Sequence, residues 1–202
     1  MNHTKSRPSS KGRCVQIISQ TLARHVLSTI VLITFTGCSV LPASSIKPGV
    51  STVDQTIKAM GKPDMAWRDG QGQVIQAAWT AQPASYVTFM VYFSDKGSVI
   101  RVEQVLNERH FAMVKNGMTG EDVLKILGPY RSVDHFSGLH QIDWNYGYCS
   151  DSDGREVYSV SFDDRTLKVT GGITTPDPLF SLGSNEEAMC VPYMGQENAF
   201  VR

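Results

Sequence analysis

One short pattern occurs twice in this chain. Lys47-Pro48-Gly49-Val50-Ser51-Thr52-Val53-Asp54 and Lys115-Asn116-Gly117-Met118-Thr119-Gly120-Glu121-Asp122 both read Lys-x-Gly-apolar-Ser/Thr-x-x-Asp. Such self-similarity reports one supersecondary unit used twice and constrains the fold more tightly than any single segment. In each copy the hydroxyl residue, Ser51 or Thr119, suits a helix N-cap. Asp54 or Asp122, three residues on, reaches back to the cap amide and favours the positive end of the helix dipole. Val53, Ile57 and Met60 give the first helix an apolar stripe, and Val123, Ile126 and Leu127 give the second one. Gly61 with Pro63, and Gly128 with Pro129, end these helices after about three turns.

The correspondence continues downstream. Gln76-Ala77-Ala78-Trp79 answers Gln141-Ile142-Asp143-Trp144, and Tyr92-Phe93-Ser94-Asp95 answers Ser161-Phe162-Asp163-Asp164, so Trp79 and Trp144 are expected in equivalent core positions. Around these landmarks the pattern turns to strands: residues 86–93 run into a turn at Asp95-Lys96-Gly97 and then Val99 to Val105. Val157 to Phe162, a turn at Asp163-Asp164-Arg165, and Leu167 to Val169 repeat the hairpin. The expected fold is α+β, two tandem units of short helices packed on an antiparallel three- to four-stranded sheet. A further helix is expected over Glu103 to Val114. The units occupy 46–105 and 106–172, and a tail, 173–202, rich in Gly and Pro, needs an outside tie to stay on the second unit.

Ahead of the first unit, Lys5, Arg7, Lys11, Arg13 and Arg24 precede an apolar run from Val26 to Phe35. That order of a charged and then an apolar stretch reads as a secretory leader, and the run is about half of what a helix needs to span a bilayer. Phe35-Thr36-Gly37-Cys38 resembles the lipobox of bacterial lipoproteins, which implies a leader over 1–37, lipidation at Cys38 and a tether over 38–45. By the same resemblance Ser39, in place of Asp, directs the protein to the periplasmic face of the outer membrane. Acyl chains on that cysteine hold a protein on a membrane without a spanning helix, each buried methylene contributing about 0.8 kcal/mol.

Charge and cysteine use narrow the partners. The full chain has 19 Lys+Arg and 19 Asp+Glu, but 1–37 carries five basic and no acidic side chains, leaving 19 − 5 = 14 against 19, a net of −5. An acidic domain is a poor fit to nucleic acid, whose binding relies on neutralising phosphates. With Cys14 in the leader and Cys38 lipidated, Cys149 and Cys190 remain in an oxidising compartment, where two thiols most simply pair. The alternative, a metal or redox site, lacks a CxxC and further ligands at zinc spacing.

Gly117-Met118-Thr119, Leu127-Gly128-Pro129, Trp144 and Phe162-Asp163-Asp164 together resemble the BamE-like (SmpA/OmlA) outer-membrane assembly lipoproteins. That family's signature is a Gly-Met-Thr helix start, a Leu-Gly-Pro helix end, a Trp strand and a Phe-Asp-Asp hairpin. The match covers about 60 residues of the second unit; Gly49-Val50-Ser51 and Met60-Gly61-Lys62-Pro63 make the first a weaker copy. The resemblance implies an α+β fold also seen, as a tandem pair, in a β-lactamase inhibitor protein, and it implies users that bind other proteins.

Sites for chemistry are sparse. His135 and His140 with Asp134 and Asp143 share no fixed face, and Asp151-Ser152-Asp153-Gly154 suits a hairpin turn better than a calcium loop. There is no nucleophile elbow, Walker motif or dinucleotide fingerprint, so neither an enzyme nor a cofactor or metal is expected. Tyr146 and Tyr148, beside Cys149, are the candidate protein-binding aromatics. The expected function is a non-enzymatic outer-membrane lipoprotein, a scaffold that supports β-barrel assembly or envelope integrity. The alternative is a periplasmic inhibitor or binding module for an enzyme. In the first reading the membrane is met through the lipid and the partner is another envelope protein.

Overall fold

The structure is a computed structural model, described here over residues 43–152 and 154–179. The chain divides into two compact units, Met1–Cys38 and Ser39–Arg202, and every described residue belongs to the second. Among the described residues no helix is long and apolar enough to cross a membrane.

Two helices of matching length open the two halves. Helix α1 spans Val53–Met60 and is capped by Thr52, whose hydroxyl accepts from Gln55 N while the Gln55 side chain accepts from Thr52 N. Thr119 and Asp122 build the same reciprocal cap on α3, Gly120–Leu127. Both helices stop at a glycine with φ near +80°, Gly61 and Gly128, in a region that side chains rarely adopt. Between them lies α2, Glu108–Phe111, a single turn capped by Asn107.

Each long helix leads into four antiparallel strands in sequential order. The first sheet is β1 (Met65–Arg68), β2 (Val74–Thr80), β3 (Thr88–Phe93) and β4 (Val99–Gln104). The second is β5 (Ser132–Phe136), β6 (Gln141–Cys149), β7 (Arg155–Asp163) and β8 (Val169–Pro176). The local details match as well. Thr52 bridges Ser98 as Thr119 bridges Lys168, and a bulge falls between Tyr92 and Phe93 as between Ser161 and Phe162. Trp79 Nε1 donates to the Gly61 carbonyl at 2.9 Å, and Tyr146 Oη donates to the Gly128 carbonyl at 3.3 Å.

The core forms two clusters on the two sides of the first sheet. On one side α1, through Met60, meets Ala77, Trp79, Phe89, Val91 and Val102, with Ala43 and Ile46 closing the edge. On the other side Ala78 and Met90 of the first sheet join Phe111, Val123 and Leu127 of α2 and α3, which pack in turn on Tyr146, Tyr158, Val160 and Phe162 of the second sheet. The order of layers is therefore α1, first sheet, α2 with α3, second sheet. Strand β3 is buried on both faces, which is why Phe89 to Phe93 reads as a continuous apolar and aromatic run and not as an alternation.

Several expectations shift. The first N-cap is Thr52 and not Ser51: the loop after Gly49 holds one more residue than the loop after Gly117, and Ser51 Oγ instead accepts from Lys47 N at 2.9 Å. The buried stripe of α1 is Thr56 and Met60, with Ile57 turned outward, as Val123 and Leu127 are the buried pair of α3. The helix expected from Glu103 to Val114 is only α2, because Glu103 and Gln104 still pair with β3 while Val105 and Leu106 are buried in the connection. The sequence partner assigned to Trp79, Trp144, has as its structural counterpart Ala77, since the shared bond to a cap glycine makes Tyr146 the counterpart of Trp79. Strand β8 runs on to Pro176, past the boundary expected at 172, and Gly172 leaves room for β7 beside it: a Cβ there would lie 2.5 Å from Tyr158 Oη.

Candidate functional site

Of the residues singled out in the sequence, Cys38 and Cys190 lie outside the described residues. Cys149 ends β6 and is disulfide-bonded; its expected pairing with Cys190 falls outside the described residues. Tyr146 and Tyr148 are not surface aromatics. Strand alternation turns both toward α2 and α3, where they are 0% and 2% exposed, and Tyr148 meets Phe111 edge-on at 4.7 Å. Burial raises the pKa of both phenols, most strongly at Tyr146. A residue with no accessible surface cannot anchor a partner. His135 and His140 do not converge: His135 sits on the exposed edge strand β5, while His140 lies in a left-handed turn with Nδ1 3.3 Å from Asp164. No group of three potential metal ligands forms among the described residues.

The opposite face of the second sheet is polar and bonded to itself. Asn145 Nδ2 donates to Asp134 at 2.7 Å, Ser159 Oγ donates to Asn145 Oδ1 at 2.6 Å, and Gln141 Nε2 donates to Asp143 at 2.7 Å. These residues stand where the first sheet presents Ala78 and Met90 to α3. At the Cys149 end of this face, Arg131 lies over Gly147 and holds Asp177 at 2.6 Å, while Tyr86 Oη donates to the same carboxylate at 3.1 Å. Burial would raise the pKa of Asp177, but the Arg131 and Tyr86 hydrogen bonds and a backbone amide outweigh it and lower the value. Burial and the neighbouring carboxylate push the Tyr86 phenol up to about 12. The cluster joins the β2–β3 loop to the end of β8, so it is a structural clasp between the halves.

A second polar feature was not foreseen. Where α2 and α3 cross the first sheet, a cleft of about 260 Å³ is lined by Tyr92, Arg101 and Glu103 from the sheet, and by Arg109, His110, Met113, Lys125 and Ile126 from the helical layer. Glu103 is its centre: Arg101 Nε lies 3.3 Å away, His110 Nε2 3.7 Å and Arg109 Nη2 3.8 Å. His110 is buried and hydrogen-bonded through Nδ1 to Asn107, so it cannot turn away. His110 beside it, followed by the charge of Arg101, overcomes burial and brings Glu103 down to about 2. The Arg101 guanidinium also stacks 3.5 Å above the Tyr92 ring. Arg101 and Glu103, two apart on a strand, had to share a face; that they face Arg109 and His110 depends on how α2 docks, which no local pattern encodes.

No family model and no curated protein matches the chain. Among solved structures, the chain is similar to a "putative beta-lactamase inhibitor protein" of Streptococcus mutans, with 11% identity over 65% of this chain and 91% of that one, at a TM-score of 0.25.

Proposed function

We propose that this chain is a non-enzymatic outer-membrane lipoprotein, anchored through Cys38 on the periplasmic face, whose folded part is a protein-binding scaffold for β-barrel assembly or envelope integrity. We infer also that the folded part is two copies of one BamE-like unit. Supporting the duplication are the paired capping boxes, the paired bulges and the equivalent bonds of Trp79 and Tyr146 to the glycines that end the helices. Supporting the anchor is the lipobox resemblance at Cys38.

The observation that carries the binding role is the contrast between equivalent sheet faces. In the first half Ala78 and Met90 make an apolar patch on this face that accepts the helices of the second half, with Arg101 and Glu103 beside it. In the second half it presents the partly exposed Ser159 and Ser161 beside the buried Asn145 and Asp143, and hydrogen bonds from Ser159 to Asn145, from Asn145 to Asp134 and from Gln141 to Asp143 and Ser161 hold them in place. A rigid polar face of this kind suits recognition, because its side chains lose little freedom on contact. Two measurements test the reading. Metabolic labelling with a fatty acid is expected to mark the protein and to fail for Cys38→Ala; a labelled variant would remove the anchor. Affinity purification from solubilised membranes is expected to recover subunits of the β-barrel assembly complex, whereas recovery of a soluble periplasmic enzyme would replace the scaffold with an inhibitor.

A further inference from the structure

We infer that the cleft between β4, α2 and α3 is a receptor for a carboxylate side chain presented by a protein partner. The inference deepens the scaffold reading by naming the chemistry of the partner, and it rests on that reading for the partner being a protein.

The charge of the cleft is opposite to that of the domain around it. Residues after 37 carry a net of −5, yet Arg101, Arg109 and Lys125 converge on this one cleft. Two carboxylates face them. Glu103 is held between Arg101, Arg109 and His110, and Glu121 Oε1 is shared between Lys125 Nζ at 3.3 Å and Trp67 Nε1 at 2.7 Å. One positive charge is therefore in excess even with His110 neutral. Donor capacity is in greater excess. Each guanidinium offers five N–H donors, and Glu103 engages one from Arg101 and one, at a loose 3.8 Å, from Arg109.

Arg109 is 68% exposed and Arg101 47%, so the remaining donors are accessible. The Arg101 plane is already fixed on Tyr92, which lowers the entropy lost when a second carboxylate binds. The cleft, about 260 Å³, falls below the roughly 300–1,000 Å³ of pockets that enclose drug-sized ligands. It has room for one acidic side chain. Met113, half exposed, and Ile126 give it an apolar rim, which fits an acidic residue flanked by apolar ones. Glu103 then acts as a resident competitor that keeps the cations ordered while the cleft is empty.

The test is a calorimetric titration of the full-length protein in nonionic detergent with a capped pentapeptide, Ala-Leu-Glu-Leu-Ala, and with its Gln counterpart. The Glu peptide is expected to bind about tenfold or more tighter than the Gln peptide, and to weaken in about 0.5 M salt. The double variant Arg101→Ala/Arg109→Ala is expected to lose about tenfold, and Lys168→Ala, outside the cleft, to lose nothing. Glu103→Gln is expected to bind severalfold tighter, a gain that a merely structural role for Glu103 would not produce. Equal affinity for the two peptides, or indifference to the arginine variants with circular dichroism unchanged, overturns the inference. Binding of N-acetylglutamate amide as tightly as the peptide would assign the cleft to free small carboxylates and overturn the protein partner. None of these outcomes bears on fatty-acid labelling or co-purification, so failure here leaves the scaffold reading to its own tests.

Discussion

Single side chains carry much of what distinguishes the two halves. Glu103 is the clearest case, because its carboxylate is held by His110 and Arg101 and its pKa falls from 4.5 to about 2. A carboxylate with a depressed folded-state pKa stabilises the fold at pH above its unfolded value, and that contribution is lost as pH falls through the folded value. The window here runs from about 4.5 down to about 2. Glu103 is a quarter exposed, so solvent screens part of the effect, and a contribution of about 2 kcal/mol at neutral pH is reasonable. Glu103→Gln is accordingly expected to be less stable than the parent at pH 7 by about that amount, with the gap closing as the pH approaches 2. Urea denaturation at a series of pH values reads it; a gap that stays constant with pH would show that the carboxylate charge is not what stabilises the cleft. Arg131 and Asp177 behave differently, being buried together, with Asp177 side-chain exposure at 0%. Their role is to clasp the end of β8 and the β2–β3 loop.

At the scale of elements, the helix ends decide the register of everything after them. Gly61 and Gly128 have nearly the same backbone, φ 82° and 75°, but different surroundings. A Cβ at Gly61 would meet nothing within 4 Å, whereas one at Gly128 would lie 2.8 Å from Thr88 Cγ2 and 3.4 Å from Ala78 Cβ. Gly61→Ala is expected to cost about 1–3 kcal/mol from backbone strain alone. Gly128→Ala is expected to cost at least about 1 kcal/mol more, because α3 is wedged against the first sheet. Thermal melts of the two variants compare them, and equal losses would mean that α3 is not held that closely. These elements also show how far the sequence could be read. The caps at Thr119 and Asp122, the glycine stops and the hairpin at Asp163 are local chemistry, visible in a few adjacent residues. The choice between Ser51 and Thr52 was not visible, since both carry a hydroxyl and one inserted residue decides between them. Nor was the pairing of Trp79 with Tyr146, because two aromatics of different shape make the same bond to a cap glycine and a nearby Trp144 offers a better match in letters. The cleft around Glu103 was hidden for the same kind of reason: its residues come from four elements, β3, β4, α2 and α3, whose docking is tertiary.

Across the described residues, two similar sheets are stacked through one helical layer, and the far face of the second sheet is polar. The sheet face that receives helices in one half carries in the other a bonded row of Asn145, Ser159 and Asp134, of which Ser159 is partly exposed. The clasp of Arg131, Asp177 and Tyr86 fixes the orientation of this face relative to the first half. The scaffold proposal requires that a partner from the envelope meet it. Photo-crosslinking in living cells tests this most directly, with a photoreactive residue at Ser159 on the polar face and, as a control, at Ile57 on the outward side of α1. An adduct from position 159 with a subunit of the β-barrel assembly complex, and none from position 57, is the result expected. No adduct from position 159, or the same adducts from both positions, would contradict the proposal.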